Sequence, residues 1–117
     1  MKINVRFFPD ENPDNPGRIN YQIINRQGDV ASINTPHRIY VQEWNHYRNT
    51  IRFSRKNSPR KEQLKEIADS IKCDIMKIHS IYDDYVMSGE PFRMVNVANS
   101  YLRQRRSKSF FNFMLDA

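Results

Sequence analysis

Apolar and polar positions alternate through Lys2–Phe8 (KINVRFF), setting Ile3, Val5 and Phe7 against Lys2, Asn4, Arg6 and Phe8, which predicts a first β-strand. The run from Pro9 to Gly17 (PDENPDNPG) carries three prolines and a glycine and reads as a loop. Alternation resumes from Arg18 to Asn34. Side chains along a strand point to opposite faces, so Ile19, Tyr21 and Ile23 fall on one side. Arg18, Asn20, Gln22 and Arg26 fall on the other, with Ile24 as the exception. Gln27-Gly28-Asp29 supplies turn chemistry, and Ser32 and Asn34 continue the polar face on a third strand. Pro36, which has no N–H for a ladder, is expected to stop that strand. Arg38–Asn45 reads as short extended or irregular chain with Trp44 as its core anchor, and Tyr47–Lys56 is weakly alternating around Ile51 and Phe53.

The period then changes. Ser58 and Pro59 suit the cap and first turn of a helix. Leu64, Ile67, Ile71, Ile75, Ile78, Tyr82 and Tyr85 recur at spacings of three and four, forming one apolar stripe. Gly89, with Pro91 just beyond, is the expected stop. A helix of about 30 residues is about 45 Å long, whereas ordinary strands reach only about 17–20 Å. Its second half therefore needs another partner, and Met94–Arg103 offers one: a short helix with Val97, Ala98, Tyr101 and Leu102 on one face. Arg105–Ser109 (RRSKS) reads as a linker, and Phe110–Leu115 (FFNFML) as the opening of a further domain. The expected fold is α+β: a three-stranded antiparallel sheet packed on one long helix, with a short C-terminal helix.

Charge separates along this layout. The chain carries +6 overall with a pI near 9.7, which favours an anionic partner. Residues 1–58 hold nine basic and five acidic side chains, residues 59–90 five and seven, and residues 91–117 five and one. Positive charge thus collects on the sheet and the tail. Arg, Asn and Gln carry the donor and acceptor geometry that matches base edges in the major groove, where a β-ribbon fits. Arg18, Asn20, Gln22, Arg26, Ser32 and Asn34 are the candidate base readers, with Lys2, Arg6 and Arg38 as candidate phosphate contacts. The plain alternative is a solvated sheet face, common in antiparallel sheets. Arg48, Arg52, Arg55 and Lys56 form either a second phosphate-contacting edge or a solvated run. Arg103, Arg105, Arg106 and Lys108 form either a flexible linker or a strip that tracks the DNA backbone.

Other chemistries find little support. Cys73 is the single cysteine, so no intramolecular disulfide can form. His37, His46, His79 and Cys73 lack zinc-site spacing, so neither a metal nor another cofactor is expected. Asp83 and Asp84 are adjacent and cannot face one substrate from a helix. No apolar run nears the roughly 18 residues of a membrane span, and the N-terminus has no signal-peptide core, so a soluble, cytoplasmic chain is expected.

The order KINVRFF strand, loop, INYQI strand, Gly-containing turn, third strand, Trp44-Asn45, long helix, Gly89-x-Pro91-Phe92 turn and short helix resembles the N-terminal region of tyrosine recombinases from mobile elements of the Bacteroides group. The resemblance spans essentially the whole chain. It departs where the family often has Arg (here Gln22), Ser-Thr-Gly (here Thr35-Pro36) and a Thr or Ser helix cap (here Arg93). It implies an arm-type DNA-binding domain over 1–104, with a sheet over about 1–56, a long helix over about 58–89 and a short helix over about 93–104. Residues 105–117 would be a basic linker and the start of a truncated core-binding domain. The implied role is sequence-specific binding of double-stranded DNA, positioning a recombinase at arm-type sites alongside other protomers. The family's catalytic Arg, Lys, His and nucleophilic Tyr lie in a domain beyond this chain, so none of its six tyrosines is expected to be the nucleophile and the chain itself is not expected to be an enzyme. Two other readings stand beside it: a double-stranded RNA-binding module, and a protein-interaction module that uses the long helix.

Overall fold

The computed structural model describes the backbone of residues 1–116 and the side chains of residues 1–105. Strands β1 (Lys2–Phe8), β2 (Gly17–Ile24) and β3 (Val30–Ile39) form an antiparallel sheet in the order β1-β2-β3. A 3₁₀ turn (Val41–Glu43) leads to a short pair, β4 (Trp44–Asn45) and β5 (Thr50–Ile51). Helices α1 (Pro59–Ser88) and α2 (Met94–Asp116) follow. The fold is thus α+β, with the long helix and the C-terminal helix in the expected places. Among the described residues, no helix is long and apolar enough to cross a membrane.

The alternation along β2 is realised in full: Ile19, Tyr21 and Ile23 are buried, and Ile33 and Ile39 of β3 join them. Helix α1 brings Leu64, Ile71, Ile78 and Ile81 to the same core, and α2 brings Met94, Val97, Ala98 and Tyr101. Both ends of α1 are set by local chemistry. The Ser58 hydroxyl accepts the Lys61 N–H at 3.1 Å, and Gly89 closes the helix at φ 74°, a conformation that side chains disfavour. Past the sheet, α1 is covered by the turn into α2, where the Phe92 ring stacks on Tyr85 at 5.1 Å and meets Tyr82 edge-on at 5.7 Å. Trp44 is buried as expected, 5.8 Å from Phe7. The Arg60 guanidinium clamps Glu43 with two 2.7 Å hydrogen bonds, fixing the 3₁₀ turn to the first turn of α1.

Four expectations change. Pro36 does not stop β3, which runs on to Ile39. The strand lies at the sheet edge, and its register against β2 shifts between Arg18 and Asn20, so the proline falls in an irregular stretch where a side chain can stand in for the missing ladder donor. There the Thr35 hydroxyl donates to the Ile19 carbonyl at 2.7 Å. Arg38 and Ile39 accordingly belong to β3. Second, Arg26 does not continue the polar face of β2, which ends at Ile24. It sits in a turn where the Asn25 side chain accepts the Gln27 and Asp29 N–H groups at 3.0 and 2.9 Å and Gly28 adopts φ 84°. Third, Trp44–Asn45 and Thr50–Ile51 pair as a hairpin of their own, apart from the main sheet. Fourth, the C-terminal helix, expected over about 93–104, continues as helical backbone to Asp116 through the stretch expected as a linker. RRSKS contains neither glycine nor proline, and Arg and Lys are good helix formers.

Candidate nucleic-acid interface

The helices cover one face of the sheet and leave the other open. Antiparallel register places its side chains in four rows across the strands: Lys2–Ile24–Val30, Asn4–Gln22–Ser32, Arg6–Asn20–Asn34, and Phe8–Arg18–Arg38. No carboxylate stands in any row. Lys2, Arg18, Ser32, Asn34 and Arg38 are exposed; Asn4, Arg6, Asn20 and Gln22 are half-buried. The expected readers on β2 and β3 therefore do converge, apart from Arg26 in the turn.

The two middle rows are cross-linked. Asn4 Nδ2 donates to Gln22 Oε1 at 3.2 Å. Arg6 Nε donates to Asn20 Oδ1 at 3.2 Å, and its Nη2 reaches the Ser32 hydroxyl on β3 at 3.4 Å. The Arg6 guanidinium also lies 5.2 Å from the centre of the Phe8 ring, within cation–π range. These side chains are thus held in a defined arrangement before any ligand arrives. Asn4 was not among the expected readers, although its place in the alternation of β1, between Lys2 and Arg6, was enough to put it on this face.

The buried side of the sheet braces the same strands through a polar hub. Tyr21 donates its hydroxyl to Asp74 Oδ2 of α1 at 2.6 Å, and His37 Nε2 of β3 lies 3.4 Å from the same oxygen. Tyr101 of α2 also hydrogen-bonds Asp74. Burial pushes the Asp74 carboxyl up, but hydrogen bonds from His37, Tyr21 and Tyr101 outweigh it and hold the group below the usual carboxylate range. Tyr21 and Tyr101 are both raised above the ordinary phenol, chiefly by burial and then by the Asp74 carboxylate that accepts from them. Arg105 extends the hub outward, lying 5.7 Å from the Tyr101 ring centre and donating to the Asn34 carbonyl at 3.4 Å. Sequence periodicity gave no sign of this hub, because its members come from four separate elements.

A second tie holds the β2–β3 turn. Asp29 accepts the Met94 N–H at 2.8 Å and the Arg93 Nη2 at 2.9 Å. The cap that Arg93 cannot give its own helix is supplied by Asp29, 65 residues earlier in the chain than Met94. Its bond from Arg93, then that from Met94 N–H, lowers the Asp29 carboxyl below its usual range.

Of the C-terminal basic cluster, Arg103 is exposed and donates to Ser100 Oγ at 3.3 Å. Arg105 is engaged as above, and Arg106 and Lys108 lie outside the described side chains. Arg48, Arg52, Arg55 and Lys56 are exposed around β5 and the lead into α1. An open groove of about 590 Å³ between the β4–β5 hairpin and α1 is lined by apolar side chains including Trp44, Ile51, Phe53 and Ile75. Its charged members, Lys65, Asp69 and Lys72, all come from α1. Comparisons of this chain with family models, curated proteins and solved structures gave no match.

Proposed function

We propose that the open face of the three-stranded sheet binds duplex DNA in the major groove, as the arm-type DNA-binding region of a tyrosine recombinase. The observation that carries this reading is the ordered outer face, with its Arg, Asn, Gln and Ser rows, their cross-strand hydrogen bonds and the absence of any carboxylate among them. Three strands spaced about 4.8 Å apart span about 10 Å, and the major groove is about 12 Å wide. A merely solvated face has no need to exclude acidic side chains from four successive rows, or to fix its amides edge to edge.

In this arrangement the middle rows face base edges, while Lys2 and Arg38 at the ends of the face lie toward the phosphates. Arg18, expected as a base reader, shares the end row with Arg38 and is reassigned to the phosphates. Phosphate contacts position a protein and base contacts specify sequence. Arg26, displaced into the turn, and Arg103 on α2 add positive charge at the periphery. The activity is binding, with catalysis left to a domain beyond this chain and with other recombinase protomers assembled on the same DNA. A cytoplasmic setting goes with that role.

The test is fluorescence anisotropy with duplex DNA and duplex RNA across a salt series, repeated with Arg18→Ala and Gln22→Ala. The expected result is DNA binding that weakens steeply with salt and weakens further in both variants. No DNA binding even at low salt would sink the proposal. Preference for the RNA duplex would replace it with the RNA-binding reading, and unchanged DNA binding in both variants would move the contact surface off this face.

A further inference from the structure

Resting on the DNA-binding reading above, we infer that Arg6 is a specificity determinant of this face: its guanidinium reads the major-groove edge of a guanine and does not serve as a phosphate contact. Arg6 belongs to the edge strand β1, which at first suggests a peripheral role. Its side chain does not stay at the edge. It crosses β2, bonding Asn20 on the way, and reaches Ser32 on β3, so the charged group lies over the middle of the sheet. A group there meets the floor of a groove that the sheet enters, whereas phosphates line the walls.

The donor arithmetic points the same way. A guanidinium has five N–H donors in a rigid plane. Nε–H and one Nη2–H form the fork along one side, and here both are occupied, by Asn20 Oδ1 and Ser32 Oγ. The second fork, one N–H from each Nη at the far end of the plane, takes no part in these bonds. Two parallel donors match the O6 and N7 acceptors of guanine, the commonest specific arginine contact. The Phe8 ring beside the guanidinium restrains the plane further, and no carboxylate pairs with Arg6 among the described residues. A side chain already fixed loses less rotamer entropy on binding than a free arginine would. Lysine offers the charge without the fork, so the two are not equivalent at such a site.

The experiment is selection from a pool of randomised DNA duplexes by the wild-type chain, Arg6→Ala, Arg6→Lys and Arg38→Ala, followed by affinity measurements on the selected site. Circular dichroism confirms that each variant is folded. The wild-type chain is expected to select a guanine at one position, with discrimination there of about 5- to 150-fold, the usual worth of a bidentate contact. Arg6→Ala and Arg6→Lys are both expected to lose the preference at that position alone, Lys recovering affinity but not selectivity. Arg38→Ala is expected to weaken all duplexes evenly and keep the motif. Replacing the selected guanine by 7-deazaguanine, which lacks the N7 acceptor, should weaken the wild-type chain and leave Arg6→Ala unaffected. A selected site without guanine would overturn the assignment, as would an Arg6→Ala variant that keeps the guanine and loses affinity evenly. Failure of the wild-type chain to bind any duplex at low salt is the separate result that removes the DNA-binding reading itself, and this inference with it.

Discussion

Thr35 shows how one side chain lets a strand pass through a proline. Pro36 has no N–H, and the Thr35 hydroxyl supplies a donor to the Ile19 carbonyl in the shifted part of the β2–β3 ladder. Ile19 is buried, so loss of that donor exposes the unfavourable side of hydrogen-bond energetics. Thr35→Val, close in shape but lacking the hydroxyl, is expected to cost about 1–3 kcal/mol in urea unfolding, with Thr35→Ser losing much less. Equal losses in the two variants would mean that packing, not the bond, matters. Asp74 makes a residue-scale prediction of a different kind. Its folded pKa is depressed, so its contribution to stability is present above the unfolded value near 3.8 and is lost as pH falls through the lower folded value. The stability gap between the wild-type chain and Asp74→Asn should be constant near neutral pH and close progressively below about pH 4. Neither Thr35 nor Asp74 was legible in advance. Proline in a strand is read correctly as a missing donor, but what replaces that donor depends on register. Asp74 looks like one more polar residue on a helix until three other elements are folded against it.

At the scale of elements, local chemistry was readable and long-range chemistry was not. The ends of α1 were marked by Ser58, Pro59 and Gly89, because caps act within a turn or two of the chain. The β2 face was marked because strand alternation is equally local. The β4–β5 pair escaped notice because two-residue strands show no period, and α2 outran its expected end because a basic run without glycine or proline reads equally as linker or helix. The start of α2 is the clearest case. Gln27-Gly28-Asp29 was legible as a turn, but its carboxylate works on the backbone of a helix at the other end of the sequence. The β2–β3 turn and α2 should therefore loosen together. Asp29→Ala is expected to lower the melting temperature and to speed hydrogen exchange at the first amides of α2, while the middle of α1 stays protected. Arg93→Ala should have a smaller effect, since it leaves the bond from the Met94 N–H in place. Equal exchange in Asp29→Ala and the wild-type chain would show that the helix start is held by packing of Met94 and Phe92 alone.

Across the whole molecule, the charge arrangement that the proposed DNA-binding role calls for works against the free fold. Arg18 and Arg38 stand directly opposite each other on β2 and β3, both exposed, beside a row that carries Arg6. Like charges facing across a ladder destabilise a sheet, and no acidic side chain in the rows relieves them. Acidic residues sit off these rows, among them Asp10, Glu11 and Asp14 in the β1–β2 loop, Asp29 in the β2–β3 turn, Glu43 in the 3₁₀ turn and six along α1. Sites kept for binding commonly cost stability in this way. Arg38→Gln, which removes one of the facing charges but keeps a polar side chain, is thus expected to raise the melting temperature of the free chain at low ionic strength. Salt should narrow the difference gradually, since the screening length falls from about 10 Å at 0.1 M to about 3 Å at 1 M, short enough to reach a close exposed pair. The same variant should bind duplex DNA more weakly, and the slope of log affinity against log salt should fall by about 0.9, the amount expected for one phosphate contact. The two measurements bear on each other. A more stable variant with an unchanged salt slope would place Arg38 on a repulsive face that does not touch phosphate, and an unstable one would mean that Arg38 holds the edge of β3 in place. A gain in stability paired with a loss of salt-dependent affinity is the signature of a face whose charges are balanced by DNA.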